Sequence, residues 1–588
     1  MVKAQGAMHI STTRRHYQTK DGTKRIHEAH LLRRSYREGG KVKNQTLANL
    51  SHLPEDIIET IRLGLAGKTL VVAGEGLEVV RSLSHGHVAA VFAMAKKLGF
   101  PDLLGPACKE RDICLALIIS RVLHPRTKLA TTKWWKDTTL ASDLAIEDVG
   151  TDEVYKAMDW LYERQKRIET KLVKRHLGSQ SNSPTLAYFD LSSSWVEGTK
   201  NELAAYGYSR DKKRGKAQIE YGLLTDKDGR PLAIEVFPGN TADPKAFISI
   251  VRTIRTRFKL DRLCMVGDRG MITSARISAL REAGDMGWLT CLRAPQIAKL
   301  ASQDGPLQLS LFDEVDLAEF SHPDYPNERL IACRNPFLAK ERKCKRESLL
   351  VATEQALAPI IASVRQGRLS GADKIGLKVA KVLNRYKMAK HFSVVITDTT
   401  LVATRDQASI DTEKALDGIY VLRTSLKDNE VDSNGVVSAY KQLSNVERDL
   451  SHIKVDDINL RPIHHYLEDR VRSHVFICML AGYLVFHLRE TLSPLTFTDE
   501  NKPEPTNPVA PADRSVSAKA KAGSKKNSDG YDVRGFRELL DHLGTLTRNT
   551  IKTKTGKTTA SFELLATPTP IQHKVFELLG ISVPVRLM

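Results

Sequence analysis

LAYFD, residues 186–190, is a short apolar run with two aromatics that ends on an aspartate, and RLCMVGD, residues 262–268, repeats the pattern. Both read as buried strands with a carboxylate at the mouth. Such a carboxylate is costly unless it is paired or meets a cation. Strand C-terminal ends in α/β sheets are also where ligands collect. Either Asp190 or Asp268 alone is more simply a turn or capping residue; together they are suggestive. Between them lie IEYGLLTD (219–226) and RPLAIEVF (230–237), joined by the hairpin turn Lys227-Asp228-Gly229. A helical stretch from Pro244 to Phe258 precedes the second run, a helix over Thr273–Ala283 follows it, and WLTCLRA (288–294) is one more strand. Three strands, a helix, then alternating strand and helix predict an α/β sheet with an antiparallel start.

Outward from this centre the texture changes. Residues 1–53 form a basic, β-rich arm. The first fifty carry eleven Lys and Arg against three acids, with turn signals at Asp21-Gly22 and Gly39-Gly40. Residues 54–183 read as a helical domain suited to DNA, for example through HVAAVFAMAKKLGF, which stops at Gly99 and Pro101. The sheet region, 184–294, is interrupted by 295–416, where Asn335-Pro336 opens a long charged helix. It resumes over 417–496 with the strand DGIYVLRTS and two helices. Residues 497–530, rich in Pro, Lys, Ser and Ala without periodicity, predict a flexible linker, and 531–588 a small helical unit.

The chain of 588 residues has a formal charge of +20, which favours polyanions without naming one. Seven scattered cysteines with no C-x-x-C predict reduced thiols in a cytoplasmic protein, and the N-terminus lacks a secretory h-region. The longest apolar run, Val475–Phe486, is well short of the roughly 20 residues that span a bilayer and predicts a buried core helix.

A third carboxylate lies in the helix after DGIYVLRTS. Tyr440, Glu447 and Lys454 are spaced by seven, which puts them on one face if the helix runs that far. On spacing alone an ordinary wet helix face explains them as well.

Here the chain resembles the cut-and-paste insertion-sequence transposases of the DDE class, in the branch with a Tyr–Arg–Glu–Lys helix signature. Tyr440, Glu447 and Lys454 match its residue types and spacing, whereas Leu443 stands where the Arg belongs. The likeness extends to SYREGGKVKNQTLANL (35–50), YFDLSSSWVEG (188–198), GLLTDKDGRPLAIEVFPGNTAD (222–243), MVGDRGMIT (265–273), ALDGIYVLRTS (415–425) and LRPIHHYLEDRVRSHVFICMLA (460–481). The resemblance implies a ribonuclease H-like core with Asp190 on its first strand, Asp268 on its fourth and Glu447 on a helix after an insertion domain, 295–416. It implies that these three bind Mg²⁺, with Mn²⁺ able to substitute. Cleavage at the element's ends and strand transfer into target double-stranded DNA would follow by a two-metal route. Tyr440 and Lys454 would touch DNA near the cut, a homodimer would pair the ends, and the enzyme would work at the nucleoid. Trp288 is a candidate for stacking on a displaced base, with a core role the simpler reading. Asn240 and Asp243 would at best support the site. His464, His465 and His474 read as packing or phosphate contacts, because imidazole serves Mg²⁺ poorly. The rival readings are a nuclease of the same core that never joins strands and a DNA-binding relic without catalysis.

Overall fold

The computed structural model describes residues 6–18, 22, 24–68, 77–178, 185–211, 213–241, 248–249, 251–258, 263–283, 286–302, 305–307, 312, 316–503, 507–553 and 560–587. Asp21, Pro184 and Asp243 lie outside them.

The chain divides into two compact units, Met1–Ser84 with Leu546–Thr567, and His85–Thr545 with Pro568–Met588. In the first, β1 (Met8–Gln18), β2 (Lys24–Glu38) and β3 (Lys41–Asn49) form an antiparallel sheet. The helix Glu55–Leu65 follows, turning Ile58 inward. A second sheet was not foreseen. β4 (Leu77–Ser84), within the stretch read as helical, pairs antiparallel with Thr547–Thr553, and that strand pairs with Ser561–Leu565. These last two strands lie where only a helical C-terminal unit was expected. The physical reason is local: Leu77, Val79 and Leu83 stand at alternate positions of β4, with Arg81 between the last two, and Val79 meets Ile551 while Ile551 meets Phe562 across the sheet.

The second unit is built on an eight-stranded sheet. β5 (Thr185–Trp195), β6 (Gln218–Thr225) and β7 (Pro231–Pro238) form an antiparallel meander. β8 (Leu263–Val266) lies parallel to β5, and β9 (Met286–Cys291) parallel to β8. Beyond β9 the sheet continues through β14 (Ile419–Thr424), β11 (Arg329–Arg334) and β10 (Leu317–Phe320), all antiparallel. The opening part of 295–416 therefore extends the central sheet. The remainder has its own core. The helices Pro336–Arg365 and Ala372–Tyr386 and the hairpin of β12 (Phe392–Ile396) and β13 (Leu401–Arg405) bury Leu350, Leu357, Ile375, Val379, Phe392 and Leu401 together. Asn335 caps the long helix by accepting from Phe337 N and Leu338 N, with Pro336 opening its first turn.

The helix Glu468–Thr491 is buried along nearly all its length and packs on β7 and on the helices Lys109–Leu123 and Thr151–Leu177. It and Pro336–Arg365 are long and apolar enough to cross a membrane by length and composition. The former is a core helix, each fully buried Leu, Ile or Phe on it contributing ~1.5–3 kcal/mol.

The segment 497–530 differs from the expected flexible linker. It carries the helix Val516–Ser524, whose first turn is capped by Ser515 Oγ. Buried Lys521 donates to Ser493 O and Thr498 O and pairs with Glu500. Asn335 Nδ2 donates to Val509 O, and Lys441 Nζ to Ala510 O. Polar bonds rather than an apolar stripe hold it, so periodicity had nothing to show.

The turn between β6 and β7 sits against the helix Leu443–Ser451. Gly229 has φ +95°, and a Cβ there would lie 2.2 Å from Asp449 Oδ2 and 3.1 Å from Asn445 Cβ. Gly229→Ala is expected to destabilise the protein by about 2–4 kcal/mol, combining left-handed strain with overpacking. Chemical denaturation checks it, and an unchanged midpoint would mean the turn and helix are not in contact.

Candidate active site

The two aspartates are brought together by strand pairing. β5 and β8 run parallel with Tyr188 opposite Val266, and two residues past that pair stand Asp190, still on β5, and Asp268, just beyond the end of β8, close enough for its charge to act on Asp190. Neighbouring strands are ~4.8 Å apart. Leu191 N donates to Asp190 Oδ1 at 2.9 Å, and Met271 N to Asp268 Oδ1 at 2.6 Å. Among the described residues neither second oxygen accepts a hydrogen bond.

The third acid arrives on a broken helical run. Ser433–Lys441, capped by Asp432, stops at Gln442. The next helix is Leu443–Ser451, and a π-helical turn covers His452–Asp456. At the break Gln442 N reaches Ala439 O, and the buried Tyr188 hydroxyl donates to the same carbonyl (3.0 Å) and to Gln442 Oε1 (2.8 Å). Four residues along β5, Ser192 Oγ accepts from Lys454 Nζ at 3.0 Å. Alternate strand residues share a face, so Tyr188, Asp190 and Ser192 all look at this run. Asp190 lies between the two anchors on the strand, as Glu447 does on the helices.

The electrostatics agree. The half-buried Asp190 carboxyl is pushed up to about 7, first by burial, then by the Asp268 charge. The Leu191 N–H and Arg210 oppose this, and Glu447 adds to it. Asp190 thus feels both other acids. Glu447 is exposed, and among the described residues its carboxylate makes no hydrogen bond or ion pair. The same helix buries Leu443, Val446 and Leu450. Leu443 is therefore a core side chain at the position where the signature has an Arg.

Three carboxylates with unused oxygens and mutual repulsion form a hard-oxygen donor set that suits a divalent cation. Among the described residues, no three acidic, histidine or cysteine side chains are drawn close enough to enclose an ion as they stand. The arrangement is an open one.

Of the two supporting residues, Tyr440 lies beside Cys291 and Asp268. Its hydroxyl is pushed up, first by burial and then by these neighbours. Lys454 is engaged within the protein: it pairs at 2.7 Å with Asp211, an almost fully buried acid that also pairs with Arg461. Asp211 was not singled out from sequence, and Tyr188 and Ser192 appeared only inside the family-like stretch YFDLSSSWVEG, with no role of their own. Lys454→Met is expected to destabilise the free protein by about 1–3 kcal/mol, since it strips a partner from a buried charge. A lysine serving only DNA would leave the denaturation midpoint unchanged and flatten the salt dependence of binding instead.

Other candidates fall away. Trp288 is buried, with the Arg281 guanidinium over one face of its ring at 5.1 Å, as the core role has it. His474 is buried, takes Arg121 and Lys128 as neighbours and is pushed well down, first by burial. His465 is pushed down to about 3 in the same way. His464 and Asn240 are exposed and make no part of the carboxylate cluster.

Residues 189–484, half of the chain, match the transposase DDE domain, and residues 15–73 match the N-terminal domain of the IS1634 family transposase. No curated protein matches. Among solved structures, the piggyBac transposase synaptic complex with hairpin DNA aligns at 9% identity over 69% of this chain and 76% of that one, with a TM-score of 0.32, too low to carry an argument. The DDE domain spans Asp190, Asp268 and Glu447, and the chain belongs to the insertion-sequence DDE transposases, enzymes that cut DNA and transfer its strands.

Proposed function

We propose that Asp190, Asp268 and Glu447 are the acids with which this transposase cleaves element ends and joins them to target DNA. The observation that carries this is the Tyr188–Val266 pairing of β5 with β8, two residues short of both aspartates, together with the upward push that Asp268 and Glu447 both give the Asp190 carboxyl. The β5–β6–β7 meander followed by parallel β8 and β9 supports a ribonuclease H-like core, with 295–416 as its insertion. DDE transposases depend on a divalent metal, and Mg²⁺, with Mn²⁺ as substitute, suits an all-carboxylate set. Asp190, Asp268 and Glu447 would hold it, and the bound metal would supply activation of a water or a DNA 3′-hydroxyl and charge stabilisation at the leaving oxygen.

The chain's own residues hold and orient. Asp190 from β5 and Asp268 from just past the end of β8 would hold the metal from one side, and Glu447 from the helix on the other. Tyr440 is placed beside Asp268 for a DNA contact. Lys454 acts by positioning, tying the π-helical turn to Asp211 and Ser192. The basic sheet of β1–β3 supplies further backbone contact. Two ends must be joined in one event, which supports a homodimer.

The test is a strand-transfer assay: pre-cut element ends with free 3′-hydroxyls, a target plasmid and Mg²⁺. Joined products are expected. Cleavage without joining would favour the nuclease reading, and binding without either would favour a relic.

A further inference from the structure

The connection from β5 to β6, residues 196–217, leaves the strand of Asp190 and returns to the sheet with two tyrosine rings in solvent. Tyr206 is 76% and Tyr208 81% exposed. Their backbone is pinned on both sides. Ala205 and Gln218 exchange both backbone hydrogen bonds (3.1 and 3.0 Å). Gln218 Nε2 donates to Tyr208 O and to Gly239 O, each at 3.0 Å. Arg210 N donates to Ser193 Oγ at 3.1 Å, and Asp211 is locked beneath Lys454 and Arg461. Gly207, between the two rings, is packed so closely that a Cβ would lie 2.1 Å from Gly239 O. The tyrosines are thus presented by a fixed backbone. Lys213, Arg214 and Lys216 follow them, all exposed. Lys213 stands over the Trp195 ring at 5.2 Å, and Lys216 pairs with Glu197.

Rings held outward by a rigid loop do nothing for the fold, and burying a tyrosine ring is worth enough that leaving two in water calls for a partner. The neighbouring cations select a polyanion, and the loop adjoins the strand of the cutting centre. In a duplex the base faces are stacked on one another, so a tyrosine ring finds a π-face only on unpaired bases. We propose that Tyr206, Tyr208, Lys213 and Arg214 form a platform for unpaired DNA at the cutting centre, the two tyrosines stacking on bases and the two cations holding the adjoining phosphates. The proposal rests on the placement of that centre around Asp190.

The experiment is fluorescence anisotropy of the full-length protein with a labelled oligothymidylate and with a blunt duplex of equal length, at fixed salt. Tyr206→Ala with Tyr208→Ala is expected to weaken oligothymidylate binding by about tenfold or more, with duplex binding within about twofold of wild type. The double Phe variant, which keeps the rings, should bind both as wild type does. The measurement is made without divalent metal, so its outcome does not depend on which acids hold the ion, and this separates the platform from the catalytic assignment. An oligothymidylate containing 2-aminopurine should be quenched by wild type and not by the double Ala variant. The proposal is overturned if the Ala variant binds oligothymidylate like wild type, if duplex and single strand weaken equally, or if the Phe variant fails as the Ala variant does. Exposed rings of this kind then serve a protein partner or none.

Discussion

Glu447→Gln is expected to lower cleavage of element ends by about 10³-fold or more while leaving their binding within about twofold of wild type. The magnitude follows from removing one charged ligand of a metal-dependent phosphoryl-transfer centre, a loss of several kcal/mol of transition-state stabilisation at ~1.4 kcal/mol per tenfold. The substitution keeps size and shape. Glu447 is exposed and bonds to nothing among the described residues, so the helix, held by Leu443, Val446 and Leu450, has no reason to move. The rate loss should therefore come with an unchanged melting temperature, which distinguishes a ligand from a structural acid. A further sign is electrostatic. Glu447 is one of the charges that push the Asp190 carboxyl up, so the Gln variant should show Asp190 titrating lower. Gel assays of cleavage and mobility-shift assays of binding, on the same ends with Mg²⁺, are the measurement. Cleavage at the wild-type rate would remove Glu447 from the site.

The strand half of this site was legible because buried strands announce themselves. LAYF and LCMV are continuous apolar runs, and an aspartate at the end of each is visible without any structure. Their being side by side was not, since parallel register is set by the sheet and by the crossover between β5 and β8. The helix half was legible only through family resemblance. Spacing by seven assumed an unbroken helix, whereas the run breaks at Gln442 and ends in a π-helical turn. That turn is why Lys454 faces Ser192 and Asp211 rather than open solvent. Asp211 illustrates the general limit: in SRDKKRGK it is one acid among cations, and only the fold reveals that it is buried beneath two of them. The second sheet of the first unit escaped for a related reason. β4 and its partner Thr547–Thr553 are separated by most of the chain, and a lone strand of eight residues has no local partner to betray it.

Asp190→Asn is expected to abolish cleavage and, in metal-free buffer, to make the protein more stable at pH 8. The Asp190 carboxyl sits at about 7 in the folded protein against an ordinary 3.8, held up first by burial and next by Asp268. A raised acid binds its proton more tightly folded than unfolded. Its contribution to stability is therefore fully present below about 4, is lost as pH climbs from there to about 7, and stays lost above. An asparagine carries no such charge. The two proteins should melt together near pH 4, provided both remain folded, and diverge progressively up to pH 7. The variant should then be ahead by about 1–3 kcal/mol, a fraction of the full shift because the site is partly open to water. Added Mg²⁺ should reverse the order. It relieves the repulsion among the three acids and raises the melting temperature of wild type by binding the folded state, while the variant, one ligand short, gains little. Thermal denaturation across pH, with and without Mg²⁺, reads both effects. If the variant is no more stable at pH 8 than at pH 4 relative to wild type, Asp190 is not in the crowded acidic site described. If Mg²⁺ stabilises the two equally, the ion binds elsewhere. Stability withheld in the empty site and restored by the ion is what three acids gathered for catalysis rather than for folding should show.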